Sequence, residues 1–185
     1  ENRYIIETGF RKVNNYFFKT MAIKQAYSIT KQMTSSWSEI QDHLTPMTVA
    51  FYIVPLINAM IRVGTQEEKS RLFLGMIDGH YMVPCNKRGA KGTFEEAAVE
   101  SVRECVNART HQNKDKEAAV ARIESKIFKY DLLENQILFI RLDNEDNFPS
   151  VLNGLVATQL AEKYKHPTIV ARLNDDGVIK GSIRG

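Results

Sequence analysis

The chain has 185 residues, with 25 Lys and Arg against 22 Asp and Glu, a formal net charge of +3 and a pI near 8.8. Hydrophobic residues at 43% and charged residues at 25% match a globular protein and exclude wholesale disorder. At roughly 150 residues per domain, this length holds one domain or two small lobes. A charge of +3 excludes only a strongly basic nucleic-acid binder.

The longest apolar run, residues 49–61, is interrupted by Pro55 and Asn58. It falls short of the roughly 18 residues of a membrane span, so no membrane partner is expected. The two cysteines, Cys85 and Cys105, have no C-x-x-C spacing. They read as reduced thiols of a cytoplasmic protein. The chain opens on Glu1-Asn2-Arg3, without an initiator Met or a signal peptide, and is amphipathic at once. It reads as a start inside a longer protein.

Ile5, Ile6, Phe10, Val13 and Phe17 recur at helical spacing, and Ile23, Ala26, Tyr27 and Thr30 mark a second amphipathic stretch. A Ser-rich break follows at residues 34–38. Thr45-Pro46 is an N-cap followed by proline in the first helical position. That helix should kink or stop near Pro55. Thr65 and Glu68 form a capping box before Leu72, Phe73, Met76 and Ile77. Residues 1–78 thus read as helical throughout.

Residues 79–92 break the pattern with Gly79, Pro84, Gly89 and Gly92, and carry Lys87, Arg88 and Lys91 as a basic loop. Thr93 and Glu96 look like a second capping box. It would open a helix to about Phe128, roughly 50 Å long. The middle of that helix, residues 107–116, is almost wholly polar, so it should connect two lobes, over residues 93–130.

Beyond it, residues 135–142 read as a strand, and Asp143, Glu145 and Asp146 as an acidic turn before Pro149. Residues 151–164 read as a helix closed by His166-Pro167. Residues 168–171 and 178–184 read as strands around the turn Asn174-Asp175-Asp176-Gly177. The expected fold class is α/β: a helical N-terminal lobe, a long connecting helix, and a small α/β C-terminal lobe with a mixed sheet over residues 131–185.

The last strand carries the clearest chemistry. Lys180, Ser182 and Arg184 share one face by alternation, while Ile183 should point the other way, toward a core. Gly181 and Gly185 let another backbone or a phosphate come close. An ammonium, a hydroxyl and a guanidinium on one face suit a phosphate, although a solvated strand face has the same pattern. Asn58 and Arg62, four apart, share a helical face in an apolar segment, as a buried structural contact or a ligand contact.

Catalytic patterns are missing. His43, His80, His111 and His166 are far apart, and there is no H-E-x-x-H, P-loop, G-x-S-x-G or G-x-G-x-x-G. Asp143, Glu145 and Asp146 could attract a cation or simply form a turn.

Three segments carry a resemblance. Residues 153–164, then Pro167-Thr168-Ile169-Val170, then residues 177–184 ending Lys180-Gly181-Ser182-Ile183-Arg184, look like the DHH-associated domain of RecJ-type nucleases. Residues 54–64, with Pro55, Asn58 and Arg62, are similar to that family's P-R-I-N-A-A-G-R segment, with Leu56 and Ile61 departing from it. Glu1-Asn2-Arg3 with Gly9-Phe10 resembles its E-N-R…G-L helix.

The resemblance implies a single-strand-specific 5′ to 3′ exonuclease in which manganese or magnesium activates water. It implies phosphate contacts from Ser182 and Arg184 and matches for Asn58 and Arg62. The metal-binding D-H-H motifs would lie before Glu1, so this portion would bind single-stranded DNA without hydrolysing it, with repair or replication proteins as further partners. Two alternatives stay open. A DHH phosphoesterase of short oligonucleotides or cyclic dinucleotides fits Ser182-Ile183-Arg184 poorly. A non-catalytic replication or repair scaffold is the other.

Overall fold

A computed structural model describes residues 2–90, 92–143, 146, 148–173 and 176–185, with Arg11 described by its backbone alone. Lys91, Glu145, Asn174 and Asp175, which the sequence reading placed in the basic loop and two turns, lie outside the described residues. The chain forms two compact units, Glu1–Arg109 and Thr110–Gly185.

The first unit is built from α1 (Asn2–Lys12), α2 (Tyr16–Lys24), α3 (Ala26–Thr30), α4 (Trp37–Asp42), α5 (Pro46–Thr48), a π-helical turn (Val49–Ile53), α6 (Val54–Val63) and α7 (Gln66–Ile77). Side-chain caps start several of them. Asn15 accepts from Phe18 N at 3.0 Å, and Thr45 accepts from Thr48 N at 3.1 Å. At α7 both halves of the expected box form, Glu68 N to Thr65 Oγ1 at 3.2 Å and Thr65 N to Glu68 Oε2 at 2.7 Å. Met21, Ile40, Ile53, Met60 and Leu72 fill one core, together with Ala98, Val102 and Cys105. Each large side chain buried in it contributes roughly 1.5–3 kcal/mol.

Pro55 does not stop the helix. It occupies the first turn of α6, a position that tolerates proline, and a π-turn precedes it, so the chain stays helical through Pro55. The helical run Pro46–Val63 therefore reaches 18 residues at a mean hydropathy of 1.5, which corrects the reading that no apolar run has the length of a membrane span. By itself such a run is weak evidence of one. It carries Asn58 and Arg62, and Ile53, Leu56, Ala59 and Met60 pack inward.

Residues 79–96 also differ from expectation. β1 (Met82–Pro84) pairs antiparallel with β2 (Phe94–Glu96), and the long helix α8 (Ala97–Lys129) begins only after it. Thr93 and Glu96 make no capping box because both side chains are engaged elsewhere. Thr93 Oγ1 donates to Ala90 O at 2.7 Å. The Glu96 carboxylate accepts from Tyr16 Oη at 2.5 Å and from His80 Nδ1 at 2.8 Å.

The basic loop between the strands is tied to α8. Asn86 N donates to Glu100 Oε1 at 2.7 Å, and Asn86 Nδ2 to Glu104 Oε1 at 3.1 Å. Lys87 and Arg88 stay exposed.

The second unit holds the rest of α8, β3 (Leu138–Leu142), a 3-10 turn (Ser150–Leu152), α9 (Asn153–Tyr164), β4 (Thr168–Leu173) and β5 (Ile179–Arg184). The sheet order is β3-β4-β5, with β3 and β4 parallel across α9, and β4 and β5 antiparallel. This is the mixed sheet and α/β class expected. Leu138, Ile140 and Leu142 are buried while Phe139 and Arg141 are exposed, so β3 alternates as a half-covered strand must. α9 packs on β4 and β5.

Two carboxylates of the acidic turn, Asp143 and Asp146, share one ammonium within the unit. Lys126 Nζ lies 3.0 Å from Asp143 Oδ2 and 2.6 Å from Asp146 Oδ2. Burial works against that ammonium, but the hydrogen bonds it donates to Asp146 and Asp143 outweigh it and hold its pKa above the ordinary lysine value.

Candidate nucleic-acid interface

In β5 the register sets Ser182 opposite Val170, Arg184 opposite Thr168, and Lys180 opposite Arg172. Val170 and Thr168 are fully buried, so Lys180, Ser182 and Arg184 lie on the sheet face that α9 covers. Ile183 is 67% exposed and Ile179 64%, on the opposite face. The expectation that Ile183 points to a core is thereby corrected. Alternation separates two faces, but α9 sits on the one with the polar residues.

Gly154, in the first turn of α9, is what lets the polar side chains come together. A Cβ there would stand 2.9 Å from Arg184 Nη2 and 3.5 Å from Ser182 Oγ. The hydroxyl and the guanidinium thus converge on bare helix backbone at the positive end of a 12-residue helix with no acidic residue in its first turn. Anions are favoured at such a place. Gly181 serves the strand pairing instead. The space of its Cβ is taken by Val170 O and by Ala171 Cα of β4, the latter at 2.7 Å, so of the two readings given for it, the close approach is by backbone.

Beside this junction is a cavity of about 460 Å³ lined by Ser150, Asn153, Arg172, Lys180 and Ser182. Phe148 holds Arg172 there. The guanidinium lies 5.9 Å from the Phe148 ring centre, and Nη2 donates to Phe148 O at 3.4 Å. Two buried atoms on these walls, Asn153 Oδ1 and Arg172 Nε, have no hydrogen-bond partner among the described residues. Buried polar atoms are normally paired, so orphans on a cavity wall suit a site completed by water or a ligand.

Sequence reasoning missed Asn153, Gly154 and Arg172 as site residues. The available signal was register: a strand with Arg172 beside one with Lys180 puts two cations side by side.

Asn58 and Arg62 are in the first unit, both exposed on α6. The buried Asn–Arg contact does not form, and the side chains flanking them, Val54 and Ile61, are also exposed, at 38% and 56%. Among the described residues no group of three or more His, Cys, Asp or Glu could hold a metal ion. The described side chains by themselves therefore do not fit manganese or magnesium.

No family model matches the chain. Over its whole length it is 34% identical to "Putative SPbeta prophage-derived single-strand DNA-specific exonuclease YorK" of Bacillus subtilis (strain 168), and equally to the single-strand DNA-specific exonuclease yorK of Bacillus phage SPbeta. It spans 31% of the length of each, about a third. A solved structure, RecJ in complex with Mg2+ from Thermus thermophilus, aligns with 84% of this chain and 21% of its own. Its identity is 16% and its TM-score 0.43, too slight a likeness to bear on the chemistry. The resemblance read from three segments is thereby borne out: the chain is similar from end to end to part of a single-strand DNA-specific exonuclease.

Proposed function

We propose that this chain is the substrate-binding portion of a RecJ-like single-strand DNA exonuclease and grips the DNA backbone with β5 and the start of α9. The observation that carries this is the convergence of Ser182 Oγ and Arg184 Nη2 on Gly154. Charge-assisted hydrogen bonds of this kind contribute roughly 1.5–3 kcal/mol each, enough to fix the register of a strand. Along β5, Lys180, Ser182 and Arg184 repeat every second residue, roughly 6.6 Å apart. That spacing lets them follow successive groups of an extended backbone.

The exposed Asn58 and Arg62, and the loop residues Lys87 and Arg88, add polar and cationic contacts in the first unit. Metal-dependent hydrolysis, with its 5′ to 3′ polarity, belongs in this reading to regions of the longer relatives that the chain does not match.

Fluorescence anisotropy with labelled oligo-dT tests the proposal. Binding should weaken with salt, and Ser182→Ala with Arg184→Ala should lower affinity and reduce the log–log salt slope by about one. Unchanged affinity in the double variant would show that the backbone is held elsewhere.

A further inference from the structure

A second cavity, of about 480 Å³, takes Arg184 as one wall and shares no residue with the first. It opens where α9 ends. Lys165 closes that helix in the left-handed conformation, with φ of 56°, and the sharp turn brings His166 and Pro167 beside Ala161 and Thr158, one and two turns back. The His166 ring is fixed, because Nδ1 donates to Tyr164 O at 2.8 Å. Its other nitrogen has no partner among the described residues.

Ala161 and Pro167 make part of the wall apolar, while Lys165 and Arg184 bring cations, Glu162 a carboxylate, and the His166 ring, Thr158 and Gly185 complete the lining. An inorganic anion would gain nothing from the apolar wall, and an apolar ligand nothing from the cations. One nucleotide unit uses both.

We infer that this cavity seats the nucleoside next to the phosphate held by Ser182 and Arg184, its base against the His166 ring and Pro167, its next phosphate toward Lys165. The inference rests on the proposed backbone grip. Stacking on such a surface is indifferent to base identity, since every base has a flat π-face. It does discriminate strandedness. A base in a duplex is already stacked and paired, and must be extruded at a cost of a few kcal/mol before it can enter. The cavity would therefore select single strands without reading sequence.

The test compares oligo-dT with an abasic strand of equal length, titrated by anisotropy against the 185-residue chain at low salt. The chain should bind oligo-dT at least ~5-fold more tightly than the abasic strand. His166→Ala, and Ala161→Phe, which fills the cavity, should erase that preference and leave the abasic strand bound as before. Lys180→Ala with Ser182→Ala, which leaves every wall of this cavity in place, should weaken both strands alike. Equal binding of both strands by the unaltered chain overturns the cavity assignment. So does a preference that survives in His166→Ala, a half-exposed position whose change leaves the core intact. If the cavity variants leave the preference unchanged while the Lys180 and Ser182 variant still weakens binding, only the cavity assignment falls. If that double variant binds both strands normally, the backbone grip falls.

Discussion

Arg184 lies against the Cα of Gly154, with its Nη2 where a side chain on residue 154 would begin, 2.9 Å from the Cβ position. A methyl group there must push the guanidinium aside, and it can, because the obstructing atom ends a flexible side chain. Gly154→Ala should therefore keep the fold. It should raise the melting temperature by a few degrees, since alanine is favoured over glycine within a helix by up to ~1 kcal/mol. Affinity for oligo-dT should fall several-fold. Thermal melting and anisotropy on the same preparation read both effects, and a more stable variant with full affinity would remove the Gly154 junction from the binding surface.

Arg71 and Glu104 are 8% and 3% exposed and pair at 3.0 Å, with Glu67 as a second acceptor for Arg71. Burial opposes the Arg71 charge, and the hydrogen bonds it donates to Glu104 and Glu67 more than offset it, holding the guanidinium's pKa above its ordinary value. Glu104→Ala leaves that charge buried without its main partner and also frees Asn86 Nδ2 of the basic loop. The expected loss is about 3–5 kcal/mol of stability. Urea denaturation should show the midpoint falling accordingly. A loss under roughly 1 kcal/mol, the scale of a solvated pair, would mean that water already reaches Arg71.

How much of this is legible in the sequence depends on the range of the interactions. Thr65 and Glu68 are three apart and settle their own helix start, so their pattern reads correctly. Thr93 and Glu96 show the same pattern and fail as a cap, because Glu96 answers to Tyr16, 80 positions earlier, and to His80. Lys180, Ser182 and Arg184 are legible as one face by alternation, and the mixed sheet follows from the strand and helix order. Which face α9 covers is a tertiary choice, and alternation misplaces Ile183 for that reason. Asn153 and Gly154 acquire their roles only when α9 lies on β5, so no local pattern could single them out as site residues.

Tyr16, His80 and Glu96 clamp the base of the hairpin that carries the basic loop. The Tyr16 and His80 rings stack at 4.1 Å while both hydrogen-bond to Glu96. The His80 hydrogen bond, with that of Tyr16 behind it, holds the Glu96 carboxyl below its ordinary value. A carboxylate lowered in this way contributes stability above its unfolded pKa, roughly 4.3, and loses it as pH falls through the lower folded value. The Tyr16 phenol is raised, chiefly by its hydrogen bond to Glu96. Its contribution is complete below about pH 10 and is lost as pH rises through the raised value. The protection factors of the β1 and β2 amides, exchange rates corrected for the intrinsic pH dependence of the chemical step, should thus be flat near neutrality and fall at both extremes. Glu96→Gln should flatten the acid limb at a lower level of protection. An acid limb that persists in that variant would assign it to other carboxylates.

The two thiols should differ sharply in reactivity. Cys105 is fully buried on α8, and burial, with Glu104 and Glu68 nearby, pushes its pKa up to about 12. Cys85 is half-exposed beside the basic loop. Because the thiolate is the reactive form, Cys105 near pH ~8 is protected twice, by the absence of a path and by the scarcity of thiolate. A disulfide reagent should titrate one thiol quickly in the native protein, and Cys85→Ser should remove that phase. The second thiol should react only as fast as the first unit opens. Glu104→Ala, by weakening the packing around α8, should speed that slow phase, by up to about tenfold for each 1.4 kcal/mol of lost stability. Two equally fast thiols in the native protein would mean that the helical core around Cys105 is open to solvent.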